Sequence, residues 1–211
     1  MNEENTNIKI SNWLLLITFL VSLMIIVGGL TRLTDSGLSI TKWDLVIGII
    51  PPLSINDWEN FFSLYKKIPE FKLLNSSMSL QEFKIIYWWE YFHRLLGRII
   101  GIFYLIPLVF YSFNKRIPKK SIYSYYIILF LILIQGVVGW YMVKSGLSER
   151  VDVSHYRLSI HLTLAFIILS WRHERNWVMI SVVVPALFWV SSIIFGLFGA
   201  SQVLFGIVPF D

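Results

Sequence analysis

The chain has 211 residues, of which 56% are hydrophobic and 15% charged, and its mean hydropathy is +0.66. That balance excludes an ordinary soluble domain and points to a bilayer. The net charge of +5 does not indicate nucleic acid, because the basic residues fall in short loops between apolar runs, where positive charge sets topology.

The N-terminal stretch MNEENTNIKI is polar and acidic, unlike a signal or transit peptide. Five apolar runs follow, at about 12–31, 95–113, 122–143, 157–171 and 178–208, each near the length needed to cross the hydrocarbon core. The second run extends back through Tyr87, Trp88, Trp89, Tyr91 and Phe92, which suit an interfacial belt. Lys115, Arg116, Lys119 and Lys120 follow span two, and Arg172 and Arg175 follow span four. Both loops are therefore expected in the cytoplasm of a bacterium, with the N-terminus inside the plasma membrane and segment 32–86 outside. Cysteine is absent, so disulfides and thiolate ligands are excluded.

Segment 32–86 is too long for a plain connection. INDWENFFSLYKK reads as an amphipathic helix with Asn56 or Asp57 near its N-cap, and MSLQEFK as another, capped by Ser79 with Glu82 three residues on. Trp43, Trp58, Phe61, Phe62 and Tyr65 argue for an ordered element folded over the bundle mouth. Ser36-Gly37-Leu38-Ser39 after span one recurs as Ser145-Gly146-Leu147-Ser148 after span three. Each copy precedes a returning helix with a histidine near its outer end, so a two-helix hairpin is used twice.

At about 100° per residue, Glu90, His93 and Gly97 share one sector of span two. Arg157, His161 and Ala165 share a face of span four. Ionisable side chains in a membrane are costly and mark cavities, pairs or ligands. Two histidines on antiparallel hairpins read as axial ligands of a haem, with Gly97 leaving room for the ring and Arg94 and Arg157 within reach of propionates. Each residue has a plainer account: a helix–helix hydrogen bond for either histidine, an i,i+4 ion pair with Glu90 for Arg94, an interfacial carboxylate for Glu90, and snorkelling for Arg98. Gln135 reads as a helix–helix hydrogen bond or a cavity contact, and glycines 28, 29, 136 and 139 as packing devices. His155 is expected in the outer loop and His173 in a solvated charge cluster; neither is a ligand candidate. No phosphate loop, HExxH pair or nucleophile elbow is present.

The motifs GGLTRLTDSGLS (28–39), PEFKLLN (69–75), MSLQEFK (78–84), EYFHRLLGR (90–98), GWYMVKSGL (139–147) and YRLSIHL (156–162) resemble the haem A synthase family in its long-loop proteobacterial and mitochondrial form. The resemblance covers about residues 20–165 and implies oxidation of a methyl group of haem O to the formyl group of haem A, with water as oxygen source, for cytochrome oxidase assembly. It implies that Glu90 assists the oxidation while His93 and His161 hold the substrate iron, and it makes haem O, the bilayer, haem O synthase and a second copy of the chain the expected partners. Family members carry eight spans in two halves, with a further histidine pair holding a haem b relay in the second. Here the chain stops at Asp211 without that pair, so activity is expected to need the second half from another copy or polypeptide.

The expectation is thus an all-α integral membrane protein, an antiparallel helical bundle of two repeated two-helix hairpins plus a fifth span, with a long outer loop. Residues 1–172 form the haem-binding half, and 173–211 the fifth membrane span and truncated remainder. The competing readings are a non-enzymatic b-type haem-binding or electron-transfer subunit and an inactive product of a disrupted frame.

Overall fold

The computed structural model describes residues 3–42, 47–149, 151 and 153–170. Among these the fold is all-helical: α1 (Glu3–Leu33), a 3-10 turn at Ile47–Ile49, α2 (Ile55–Tyr65), α3 (Pro69–Leu73), α4 (Leu80–Phe113), α5 (Lys119–Glu149) and α6 (His155–Ser170). Among the described residues three stretches are long and apolar enough to cross a membrane: Asn5–Leu33, Leu80–Phe113 and Lys119–Leu147. The expected fifth span, Trp43 and the cluster of Arg172, His173 and Arg175 lie outside the described residues.

Three expectations are corrected. MSLQEFK is the first turn of α4 rather than a separate helix, since no glycine or proline interrupts the chain from Leu80 to Leu96. At about 1.5 Å per residue this helix is about 50 Å long, well beyond the hydrocarbon thickness. Ser79 does cap it: its hydroxyl accepts from the Glu82 N–H at 3.3 Å, and Glu82 Oε2 accepts from the Ser79 N–H at 2.7 Å. The cap of α2 is Ser54, two residues before Asn56, and Asp57 sits at the third helical position and completes the reciprocal box. His155 is the first residue of α6 rather than a loop residue.

In the bundle, α1 packs on α4, α5 on α6, α4 on α5, and α1 on α6. One core joins Trp13, Leu14, Ile17 and Val21 of α1 to Ile100, Tyr104 and Leu108 of α4 and to Ile128, Ile168 and Leu169. Pro107 lies inside α4, so the carbonyl of Phe103 loses its usual N–H donor four residues on. The indole N–H of Trp13 donates to that carbonyl at 2.8 Å. An apolar environment makes an unpaired backbone group expensive, and a side chain from α1 removes the deficit.

A second core covers one end of the bundle. Trp58, Phe62 and Tyr65 form the buried face of α2, spaced at four and three residues as a helical stripe requires. Trp58 meets the Tyr87 ring edge-on at 5.0 Å, and Phe62 stacks on Phe83 at 5.1 Å. While α2 packs on α4, α3 reaches α5, so the segment between α1 and α4 bridges the bundle end.

Candidate functional site

Between the two cores lies a cavity of about 730 Å³, within the range of cofactor and small-molecule sites. Its ionisable lining comes from Arg32 at the end of α1 and Asp35 just after it, Glu70 of α3, Glu90, His93, Arg94 and Arg98 of α4, and His161 of α6. Val21, Ile100, Ile132 and Ile168 line it as well. It therefore has charged and apolar walls, suited to an amphipathic ligand.

Glu90 is almost fully buried. Its Oε2 accepts from the Ser39 hydroxyl and the Ile40 N–H, both at 2.7 Å, and its Oε1 accepts from Arg94, with Nε at 3.0 Å. Arg94 also donates to the Ile40 carbonyl at 3.0 Å. The i,i+4 pair is thus formed, and Ser39 of the SGLS segment with Ile40 just after it clamps both partners. These contacts orient the carboxylate from three sides.

His93 lies against α1 at Gly28. A Cβ on Gly28 would come 3.0 Å from His93 Cε1, and a Cβ on Gly139 the same distance from His161 Cε1. Each imidazole rests on a glycine of the helix that precedes its own in the pairs α1–α4 and α5–α6. Both rings line the cavity, and each has a buried Nδ1 without a hydrogen-bond partner. Gly97 approaches α1 more loosely: its Cβ would sit 3.2 Å from the mobile end of Met24.

The cavity thus brings together Glu90, His93, Arg94, Gly97 and His161. Arg157 is engaged on α5, where its guanidinium donates to the Ser145 hydroxyl and lies 4.8 Å from the Tyr141 ring centroid. Arg98, read from sequence as snorkelling, lines the cavity. Gln135 makes the helix–helix bond expected of it, from Nε2 to the His161 carbonyl at 2.8 Å, and also lines the cavity.

Sequence reasoning missed Ser39, Ile40 and Glu70. Ser39 lies in the repeated SGLS motif, which could have drawn attention to it. Glu70 lies in the PEFKLLN motif, which could likewise have pointed to it; on its short helix it is buried and lines the cavity. Its Oε1 accepts from the Tyr65 hydroxyl at 2.8 Å, and Asn75 donates to that same hydroxyl at 2.8 Å. Burial first, and the Glu70 carboxylate second, push the Tyr65 phenol above its ordinary value. Among the described residues no group of three His, Cys, Asp or Glu side chains could hold a metal ion.

A family model described as cytochrome oxidase assembly protein, COX15-CtaA, matches residues 11–206. A heme A synthase of Pelagibacter ubique (strain HTCC1062) is 54% identical over 171 residues, covering 80% of this chain and 50% of that protein. Those of Ehrlichia canis (strain Jake) and Bradyrhizobium diazoefficiens are 49% identical over 183 residues and 48% over 177, covering 86% and 82% of this chain and 53% and 49% of theirs. The chain spans about half the length of these curated relatives. No solved structure matches it.

Proposed function

This chain belongs to the COX15-CtaA family of cytochrome oxidase assembly proteins, and on that premise we propose that it carries the substrate half of a membrane oxidase converting haem O to haem A. The observation that carries this reading is the pair of imidazoles, each seated on a glycine and both lining one cavity. Two nitrogen donors with no third such ligand among the described residues suit the axial positions of a macrocyclic iron better than a bare ion.

In this reading His93 and His161 hold the iron of haem O, and Gly97 leaves room for the ring. Arg94 is the cation for its propionates, whereas Arg157, expected from sequence to share that task, is held on Ser145 and Tyr141 and is not among the residues lining the cavity. Going from methyl to formyl adds one water oxygen and removes four electrons and four protons; a haem b relay in the family's second half would take up those electrons. Glu90 stands beside the macrocycle to orient the attacking water and to offset positive charge developing on the carbon. Ser39, Ile40 and Arg94 keep that carboxylate in place.

The pairs α1–α4 and α5–α6 are read as two copies of one hairpin, the outward-going helix of each closing in SGLS at the outer face of a bacterial plasma membrane. The basic turn between α4 and α5 lies in the cytoplasm, as does the N-terminus, and the segment bearing α2 and α3 is the outer cap. Residues 1–172 are the haem-binding unit and 173–211 begin the next. Haem O synthase and a second copy of the chain are the protein partners of this reading.

The test is haem extraction from cells that make haem O, lack another synthase and express this chain in the membrane. Haem A is the expected product, and haem O alone rejects the proposal. A second reading, a b-type haem-binding or electron-transfer subunit, draws on one observation: the Glu90 carboxylate is held by three partners, as a purely structural acid would be. Glu90→Gln separates the two, since electron transfer survives it and formyl production does not.

A further inference from the structure

The stretch that leads into α2 differs in character from the rest of the cap. From Ile47 to Asn56 it carries no ionisable side chain, whereas Asp57, Glu59, Lys66, Lys67, Glu70 and Lys72 follow in close order. Its apolar side chains are not folded inward: Ile50 is 66% exposed, Leu53 80% and Ile55 71%. The backbone is also poor in free donors. Pro51 and Pro52 have no N–H, and the Ser54 N–H donates to Asp57 Oδ2 at 2.9 Å. Such a stretch loses little when it leaves water.

Contacts with α4 fix its height along the bundle. The Tyr91 hydroxyl donates to the Ile49 carbonyl at 2.6 Å. Just beyond Ile55, the Trp58 ring lies 5.0 Å from that of Tyr87 and 6.0 Å from that of Trp88, with Lys84 Nζ 5.3 Å from its centroid. The stretch therefore runs beside α4 from the level of Tyr91 to that of Tyr87. Lys115 and Arg116 belong among the headgroups of the opposite face, so Phe113 marks the edge of the hydrocarbon there. At about 1.5 Å per residue, Tyr91 stands about 33 Å from Phe113 and Tyr87 about 39 Å. Hydrocarbon fills about 30 Å of a bilayer that is about 40–45 Å thick with its headgroups. Both tyrosines thus stand at headgroup level, and the exposed apolar side chains of α4, Phe110, Ile106 and Phe92, continue to Ile85 at the same level.

We propose that Ile50, Leu53 and Ile55 form an interfacial anchor that enters the lipid on the cap side of the bilayer, at the boundary between phospholipid headgroups and acyl chains. Lipid is the solvent at the height where α4 holds them, and three aliphatic side chains with no charge among them gain by leaving water. The reciprocal box of Ser54 and Asp57 keeps the polar groups of the stretch paired at the headgroups. The cap is then held from two sides, by Trp58 and Phe62 against α4 and by the membrane at its rim. This goes beyond the haem reading and does not depend on it.

The experiment uses the absence of cysteine from the chain. Leu53→Cys, Ile55→Cys, Glu59→Cys and Ile106→Cys, each made singly in the full chain, replace exposed side chains and leave the cores untouched. Each is given a nitroxide label and reconstituted in phosphatidylethanolamine and phosphatidylglycerol vesicles. Spin-label power saturation with oxygen, which concentrates in lipid, and with a water-soluble nickel chelate then reads the position of each label. Labels at Leu53 and Ile55 are expected to be open to oxygen and shielded from nickel, at a depth of about 5–10 Å. The Ile106 label reports hydrocarbon and the Glu59 label water. Nickel access at Leu53 and Ile55 equal to that at Glu59 overturns the proposal by placing the patch in water. Shielding from both reagents, or broadening between labels on different chains, overturns it by showing that protein covers the patch. Leu53→Asp combined with the Ile55→Cys label is expected to shift that label toward nickel access; an unchanged depth would mean that α4 alone places the cap, and the patch is then no anchor.

Discussion

The imidazole of His93 rests on Gly28, where a Cβ would come within 3.0 Å of its Cε1. Alanine is favoured over glycine inside a helix by about 1 kcal/mol, so Gly28→Ala should leave thermal stability unchanged or slightly raised while pushing the ring from its place by a few tenths of an ångström. The expected outcome is weaker haem binding by about tenfold with a loss of low-spin character. Gly139→Ala should do the same through His161. Stability and haem spectrum measured on the same samples check both parts; a variant that unfolds, or one with an unchanged spectrum, contradicts the seat.

Glu90 and Arg94 form a mostly buried pair whose side chains are 3% and 13% exposed. Removing one partner of such a pair costs about 3–5 kcal/mol, so Arg94→Ala should lower stability markedly. Glu90→Gln keeps the shape and one carbonyl oxygen, and should retain haem content while abolishing haem A formation. Haem extraction beside a thermal unfolding curve reads both outcomes. Full product formation by the Glu90→Gln chain would end the catalytic role of Glu90.

Trp13 supplies the donor that Pro107 takes from the Phe103 carbonyl. Trp13→Phe should therefore destabilise the bundle by about 1–3 kcal/mol. In a Pro107→Ala background the carbonyl regains its helical donor, and the same substitution should cost clearly less. A double-mutant cycle on denaturant unfolding measures the coupling; additive effects would show that the indole N–H contributes nothing at that carbonyl.

The cap over the bundle end should be sensitive to alkali. The Tyr65 phenol is held above its ordinary value of 10.0, chiefly by burial, so the folded form retains its proton where the unfolded form gives it up. Stability from this group is complete below about pH 10 and falls as pH rises through that range. Tyr65→Phe should flatten the alkaline arm of the stability curve, at some cost at neutral pH because Glu70 and Asn75 lose a partner. An alkaline arm identical in the two proteins would place the titrating group elsewhere.

Much of this could be read locally. Hydrophobic runs located the long helices, since a bilayer demands about twenty apolar residues whatever packs beside them. The spacing of Glu90, His93 and Gly97 put an acid, a donor and a small residue on one sector, and Ser79 with Glu82 announced a cap. These are relations within a few residues, where helical geometry is the same in every protein. Boundaries were less legible. Nothing in the composition of MSLQEFK says whether its turn joins the next helix, and Ser54 rather than Asn56 or Asp57 caps α2.

What tertiary structure alone decided lies at long separation. Ser39 and Ile40 reach Glu90 across about fifty positions, and Trp13 reaches Phe103 across ninety. Gly28 and Gly139 looked like packing residues, and packing they are, but against the two imidazoles of the cavity. Glu70 sits on a helix of five residues with no periodicity to read. Local periodicity determines which face of each helix is apolar, whereas the partner of a buried polar atom depends on how helices meet, and unpaired polar groups in a low-dielectric interior are too costly to leave to chance.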